Sequence, residues 1–172
     1  MNPNPFTLLN LPVTFDVDAK ALHRAFLQQS SANHPDRFID PLKQADAADR
    51  TAVINKAYQT LKSPFDRATV MIHLLSEDPV DDSKQLPANL LMEMMEIREE
   101  LEDAQANKNS AELKRLQQWA KDQEKNYLLT LKQVLDQATA LPASDRKASL
   151  SKAIEQLNAL RYIQRMLEEF EI

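Results

Sequence analysis

The sequence predicts an all-α protein in two parts: an N-terminal helical hairpin interrupted by a stiff turn, and a C-terminal three-helix bundle. Three observations carry this. The 172 residues contain no glycine, and strand-rich folds lean on glycine for their hairpin turns. Apolar residues recur with the period of a helix face in segment after segment. The interruptions between the later segments, at Asn107–Asn109 and Leu141-Pro142, are short, so neighbouring helices are expected to run antiparallel.

The elements follow in order. Phe6 to Pro12 is an apolar patch before a proline and reads as a short helical turn packed on the next two helices. Asp16 to Ala32 reads as a helix capped by Asp16 or Asp18, with Leu22, Ala25 and Phe26 as its apolar stripe. His34-Pro35-Asp36 then stops it. Pro35 has a fixed φ and no N–H, and it pushes His34 out of the α region. Asp36 is expected to hold the turn by accepting backbone N–H groups. An imidazole and a carboxylate should stand together on an exposed loop, with Arg37 next.

Leu42 to Lys62 reads as the second helix, with Ile54, Ala57, Tyr58 and Leu61 spaced i, i+3, i+4 and i+7. Ser63-Pro64-Phe65-Asp66 starts another. Ser63 suits the N-cap, Pro64 the first helical position, and Asp66 a capping-box carboxylate. Phe65, Ala68, Ile72 and Leu75 are its expected buried face. The stretch from Ser76 to Ser83 is acidic and aperiodic and marks a boundary. The expected organisation is residues 1–76 as one domain, 77–85 as an acidic linker and 86–172 as the other. Within the second domain, helices are expected over about Leu86–Ala106, Ser110–Ala138 and Ala143–Phe170. The middle one carries Leu113, Leu116, Ala120, Tyr127, Leu131 and Val134 along a seam, with Trp119 beside it as core filling.

Composition excludes whole classes of chemistry. Without glycine there is no dinucleotide fingerprint or phosphate-cradling loop. Without cysteine there is no disulfide, thiolate metal site or thiolate nucleophile. His23, His34 and His73 lack metal-ligand spacing, so no metal or cofactor is expected. A net charge of −5 does not favour a nucleic-acid partner. Met1 to Phe15 contains no Lys or Arg, unlike a secretory or transit signal. No apolar run approaches membrane-spanning length. A soluble cytoplasmic protein without catalytic residues is expected. His34 and Asp36 on a loop lack the pocket that acid–base catalysis requires.

One helix face is too apolar for its place. At about 100° per residue, Leu90, Met94, Ile97 and Leu101 fall together and suffice to dock the 86–106 helix on its neighbours. Leu91, Met92 and Met95 are rotated away, ringed by Glu96, Glu99, Glu102 and Asp103. Met is characteristic of adaptable binding surfaces, and Tyr162 on the last helix can border the same strip. The alternative is that this helix is buried on more than one side.

Taken together, these residues resemble a known family. His34-Pro35-Asp36-Arg37, then the run Ile54 to Leu61, then Pro64 and Arg67-Ala68, look like a J-domain. Leu91-Met92-Glu93 and the run Glu96 to Leu101 follow. The acidic linker, the lack of a Gly/Phe-rich tract and the short helical C-terminal part make the chain similar to the HscB family. These are J-type co-chaperones of bacterial iron–sulfur cluster assembly, and the resemblance spans nearly the whole chain. It implies docking on a DnaK-type chaperone, HscA, through His34, Pro35, Asp36 and Arg37 with Lys20 and Arg24, and stimulation of its ATPase. It also implies binding of the scaffold protein IscU through Leu91, Met92, Met95, Glu96, Glu99, Asp103 and Tyr162. Other readings are a J-domain serving another client, or a helical adaptor with no chaperone contact. Two departures stand out. The basic stripe of the first helix is thin, with Gln28, Gln29, Ser30 and Ser31 after Lys20 and Arg24, and Asn33 occupies a position where J-domains carry an aromatic residue.

Overall fold

The computed structural model describes residues 3–77, 79–80, 86 and 88–170; residues 78 and 81–85 of the expected linker lie outside them. All regular structure among the described residues is helical. The order is α1 (Pro5–Leu8), α2 (Ala19–Ala32), α3 (Pro41–Lys62), α4 (Pro64–Leu75), α5 (Ala88–Ala106), α6 (Ser110–Ala140) and α7 (Lys147–Glu169), with 3₁₀ turns at Pro35–Arg37 and Ala143–Asp145. The fold is all-α. Two compact units result, Met1–Met71 and Ile72–Ile172, so the division falls inside α4.

In the first unit α2 starts later than expected. Asp18, not Asp16, is the cap: its two carboxylate oxygens accept the N–H groups of Lys20 at 3.2 Å and Ala21 at 3.0 Å. The α2–α3 hairpin buries Leu22, Ile54, Ala57 and Leu61, and Phe26 stacks on Tyr58 with ring centroids 4.4 Å apart. The turn α1 supplies the buried Phe6 and Leu9. Without glycine, Asn10 takes the left-handed conformation after it, at φ 52°, a role a short polar side chain tolerates.

Ser63 serves two helices. Its N–H donates to Gln59 O at 3.2 Å, ending α3, while its hydroxyl accepts the Asp66 N–H at 3.2 Å, starting α4. The expected capping box is therefore only half made, because the Ser63 N–H is already spent on α3. Phe65, expected in the core, is only half-buried; Ala68, Ile72 and Leu75 carry the buried face. The inward polar group of α4 is Arg67. Its Nε donates to Leu61 O at 2.8 Å and its Nη1 to Phe15 O, with the guanidinium 5.6 Å from the Phe15 ring centroid. Burial lowers its pKa, opposed by the charge of Asp16. A buried charge is tolerated only when its donors are satisfied, and Arg67 clamps the loop before α2 onto the α3–α4 corner.

In the second unit α6 and α7 form the long pair. They bury Leu131, Val134, Leu135 and Ala138 on one helix, and Leu150, Ala153, Leu157 and Leu160 on the other. The shorter α5 joins them through Met94, Leu101 and Ala104, which share a cluster with Leu116, Ala120, Ile163 and Met166; Trp119 packs against it. At the α5–α6 corner Lys108 adopts φ 52°, and the Asn109 N–H reaches back to Ala104 O at 2.9 Å. This is the C-terminal geometry that usually takes glycine. Asn109 then caps α6 by accepting the Glu112 N–H at 3.2 Å. The last helix begins at Lys147, not Ala143. Pro142 and the 3₁₀ turn intervene, and Arg146 Nε turns back to Ala138 O at 3.0 Å and Leu141 O at 3.1 Å, satisfying carbonyls at the end of α6.

Candidate functional site

Two separate surfaces collect the side chains singled out from the sequence. The first is the turn between α2 and α3. His34 takes an extended conformation, φ −67° and ψ 131°, as the residue before a proline should. The expected role of Asp36 is reversed. It is His34 Nδ1 that accepts the Asp36 N–H, at 3.3 Å, because an extended residue at the start of a 3₁₀ turn has the capping geometry. Asp36 instead leaves its carboxylate in solvent, with Oδ2 3.5 Å from His34 Nδ1 and both side chains largely exposed. Accepting that N–H requires a lone pair on Nδ1, which leaves the ring proton on Nε2.

The turn is closed by Arg37 N–H to His34 O at 3.1 Å and Phe38 N–H to Pro35 O at 3.0 Å. Arg37 is the residue whose placement the sequence did not reveal. Its Nη1 reaches back six positions to Ser31 O at 3.2 Å, setting a cation at the C-terminal end of α2, where the helix dipole favours one. Lys20 and Arg24 are exposed, four residues apart on α2. Arg37 thus supplies a positive charge at the end of the helix whose own later turns have none. Asn33 ends α2, with its Nδ2 donating to Gln29 O at 2.8 Å. Its carbonyl lies 3.1 Å from the Thr51 hydroxyl of α3. At the position where an aromatic was expected, the side-chain amide stays on α2 and the backbone carbonyl meets α3 just before the turn.

The second surface is on α5. Met94 and Leu101 are buried and Leu90 and Ile97 half-buried. Leu91, Met92 and Met95 are 46%, 64% and 56% exposed. Within its own unit the strip is therefore open. Glu96, Glu99 and Asp103 are exposed along it. Tyr162 is half-buried, and its hydroxyl donates to the Met94 carbonyl at 3.4 Å. It braces the backbone of α5 at the level of the strip. Arg98 also lies here: its Nε pairs with Glu102 at 3.2 Å and its Nη2 lies 4.0 Å from Glu169. The Glu102 hydrogen bond, then Tyr162 and Glu169, hold its pKa up. In the sequence Arg98 is only one position in the Glu96 to Leu101 run; its pairing to α7 depends on helix packing that no local spacing encodes.

Among the described residues no group of three or more His, Cys, Asp or Glu side chains is placed to hold a metal ion. No described helix is long and apolar enough to cross a membrane. The two surfaces differ in chemistry: one is a polar loop with an imidazole and charges of both signs, the other an apolar strip edged by carboxylates.

The family model described as the HSCB C-terminal oligomerisation domain matches residues 86–171. A "Co-chaperone protein HscB homolog" of Paraburkholderia xenovorans is 34% identical over 98% of this chain and 93% of its own. The protein of the same name from Burkholderia thailandensis is 36% identical over 81% and 82%. Among solved structures, the chaperone HscB from Vibrio cholerae superposes with a TM-score of 0.76 at 30% identity, covering 98% of this chain and 95% of that one. Human co-chaperone protein HscB superposes at 0.80 and 23% identity, over 97% and 80%, a likeness of fold. With the same architecture and full-length similarity to these relatives, the chain belongs to the HscB co-chaperone family.

Proposed function

We propose that this chain activates the ATPase of a DnaK-type chaperone, HscA, through its His34-Pro35-Asp36 turn. Its C-terminal bundle then brings that chaperone the iron–sulfur scaffold protein IscU, promoting cluster assembly and transfer in the cytoplasm. The observation that carries the reading is the state of the turn. His34, Asp36 and Arg37 are held by backbone geometry yet largely exposed to solvent, so their chemistry is left for a partner. Lys20, Arg24 and Arg37 add positive charge, which mainly raises the rate of encounter with an acidic surface. The turn acts by binding one chaperone conformation better than another, since only differential affinity shifts an equilibrium.

The scaffold is held on the open side of α5. Leu91, Met92 and Met95 form the apolar anchor, and Glu96, Glu99 and Asp103 the polar rim, with Tyr162 as the brace behind it. Holding scaffold and chaperone through one molecule raises the effective concentration of the scaffold at the peptide site. The chain itself performs no bond chemistry in this account, and it needs no metal or cofactor of its own.

The test is steady-state ATP hydrolysis by HscA with this protein and IscU added singly and together. Stimulation greater than the product of the separate effects is expected. Stimulation indifferent to IscU would retain the chaperone partner and remove the client. No stimulation would remove both, leaving a helical adaptor.

A further inference from the structure

The turn does not end at Arg37. Ile39 is 98% exposed and Leu42 78% exposed, far beyond the other exposed aliphatic residues of the first unit. Single exposed apolar residues are ordinary. An almost fully solvated Ile and Leu three positions apart, immediately after a recognition turn, are a different matter. Their backbone is fixed: Phe38 O accepts Gln44 Nε2 at 2.7 Å, and Asp40 Oδ1 accepts the Leu42 N–H at 3.0 Å, capping α3. Both side chains are held out by an ordered corner and contribute nothing to the core.

We propose that Ile39 and Leu42 are an apolar anchor for the same chaperone surface that the His34-Pro35-Asp36 turn engages; this rests on the function proposed above. The occupant follows from continuity and charge. Ile39 is two residues from Arg37, so a partner seated on the turn reaches it without leaving the surface. Arg37 on one side and Lys43 on the other are exposed, and neither is in an ion pair among the described residues, while the exposed Asp40 carboxylate between them accepts the Leu42 N–H. The complementary surface is therefore an apolar depression edged by carboxylates, attracting the same sign of charge as Lys20 and Arg24. The division of labour is that His34 and Asp36 bias the chaperone toward hydrolysis, whereas Ile39 and Leu42 set how tightly it is held. A short basic stripe on α2 is offset by apolar contact from the α3 corner.

The experiment is a titration of chaperone ATPase with the full chain carrying Ile39→Ser with Leu42→Ser, beside Ile39→Leu and His34→Gln. Removing two buried aliphatic contacts is expected to raise the half-stimulating concentration roughly ten-fold or more, with the plateau unchanged. Ile39→Leu stays within about two-fold of the parent. Thermal unfolding and scaffold binding stay where they were, since neither side chain is packed. An unchanged half-stimulating concentration in the double serine variant overturns the anchor, and loss of stimulation in His34→Gln then shows that the chaperone reading survives without it. A lowered plateau at the same half-point also overturns it, placing the pair in activation instead of holding. A parent chain that dimerises in sedimentation, dispersed by Ile39→Ser, identifies a second copy as the occupant and overturns it too. If the parent stimulates no DnaK-type chaperone, both proposals fall together.

Discussion

The turn at His34–Arg37 and the face of α5 are built on opposite principles. The turn is made of consecutive residues, and its shape comes from one proline, one capping imidazole and two backbone hydrogen bonds. Almost nothing hydrophobic supports it. The α5 face is made of residues scattered over more than a dozen positions, and they share a surface only because Met94 and Leu101 are locked into the bundle on the other side. A site of the first kind can be altered without touching stability. On a face of the second kind, neighbouring residues have opposite surroundings, and a one-residue shift exchanges solvent for the core.

The largest effect that would sharpen this contrast is at His34. His34→Gln removes only one exposed hydrogen bond from the fold, so stability should change by less than about 0.5 kcal/mol. ATPase stimulation should fall to the level of the chaperone alone. If melting temperature falls along with activity, the turn is structural and the contrast breaks.

On α5 the contrast is between adjacent methionines. Met94→Ala opens a cavity in the cluster shared by three helices and should cost about 2–4 kcal/mol in denaturant unfolding. The triple change Leu91→Ala, Met92→Ala and Met95→Ala should leave stability within about 1 kcal/mol while weakening scaffold capture at least ten-fold by titration calorimetry. Equal destabilisation by the two variants would mean the strip is packed, not open.

Arg67 offers a smaller, purely structural effect in the first unit. Arg67→Met leaves the carbonyls of Leu61 and Phe15 without their buried donors and should cost about 1–3 kcal/mol. Because the clamp is remote in sequence from the turn, the chaperone's maximal stimulation should survive at temperatures where the variant is folded. The smallest effect has the opposite sign. Lys108 holds a positive φ that glycine adopts freely. Lys108→Gly should stabilise the bundle by roughly 0.5–1 kcal/mol by thermal unfolding, the local gain outweighing the added freedom of the unfolded chain.

Much of this was legible in the sequence because it is encoded locally. The absence of glycine, the helical periods and the proline stops foretold seven helical segments in the right order. The separation of Met94 from Met95 followed from 100° per residue alone. The turn was visible as a string, yet which atom caps it was not: Asp36 has the commoner capping side chain, and the imidazole won because His34 holds the extended position that precedes the turn. The period of α4 places Phe65 on the core face, but helix periodicity does not say where a neighbouring helix stops covering a face.

By itself the sequence determined the all-α class, the helix order, the exposed turn and the two-sided character of α5, since each depends on near neighbours along the chain. Only the tertiary structure decided that Arg37 returns to the end of α2, that Arg67 clamps Phe15 from 52 positions away, that Tyr162 braces Met94 across 68, and that Ile39 and Leu42 are left in solvent. Those contacts join residues whose separation carries no period. They form because packing the helices brings backbone carbonyls and long polar side chains together, and burial makes leaving those side chains unpaired costly.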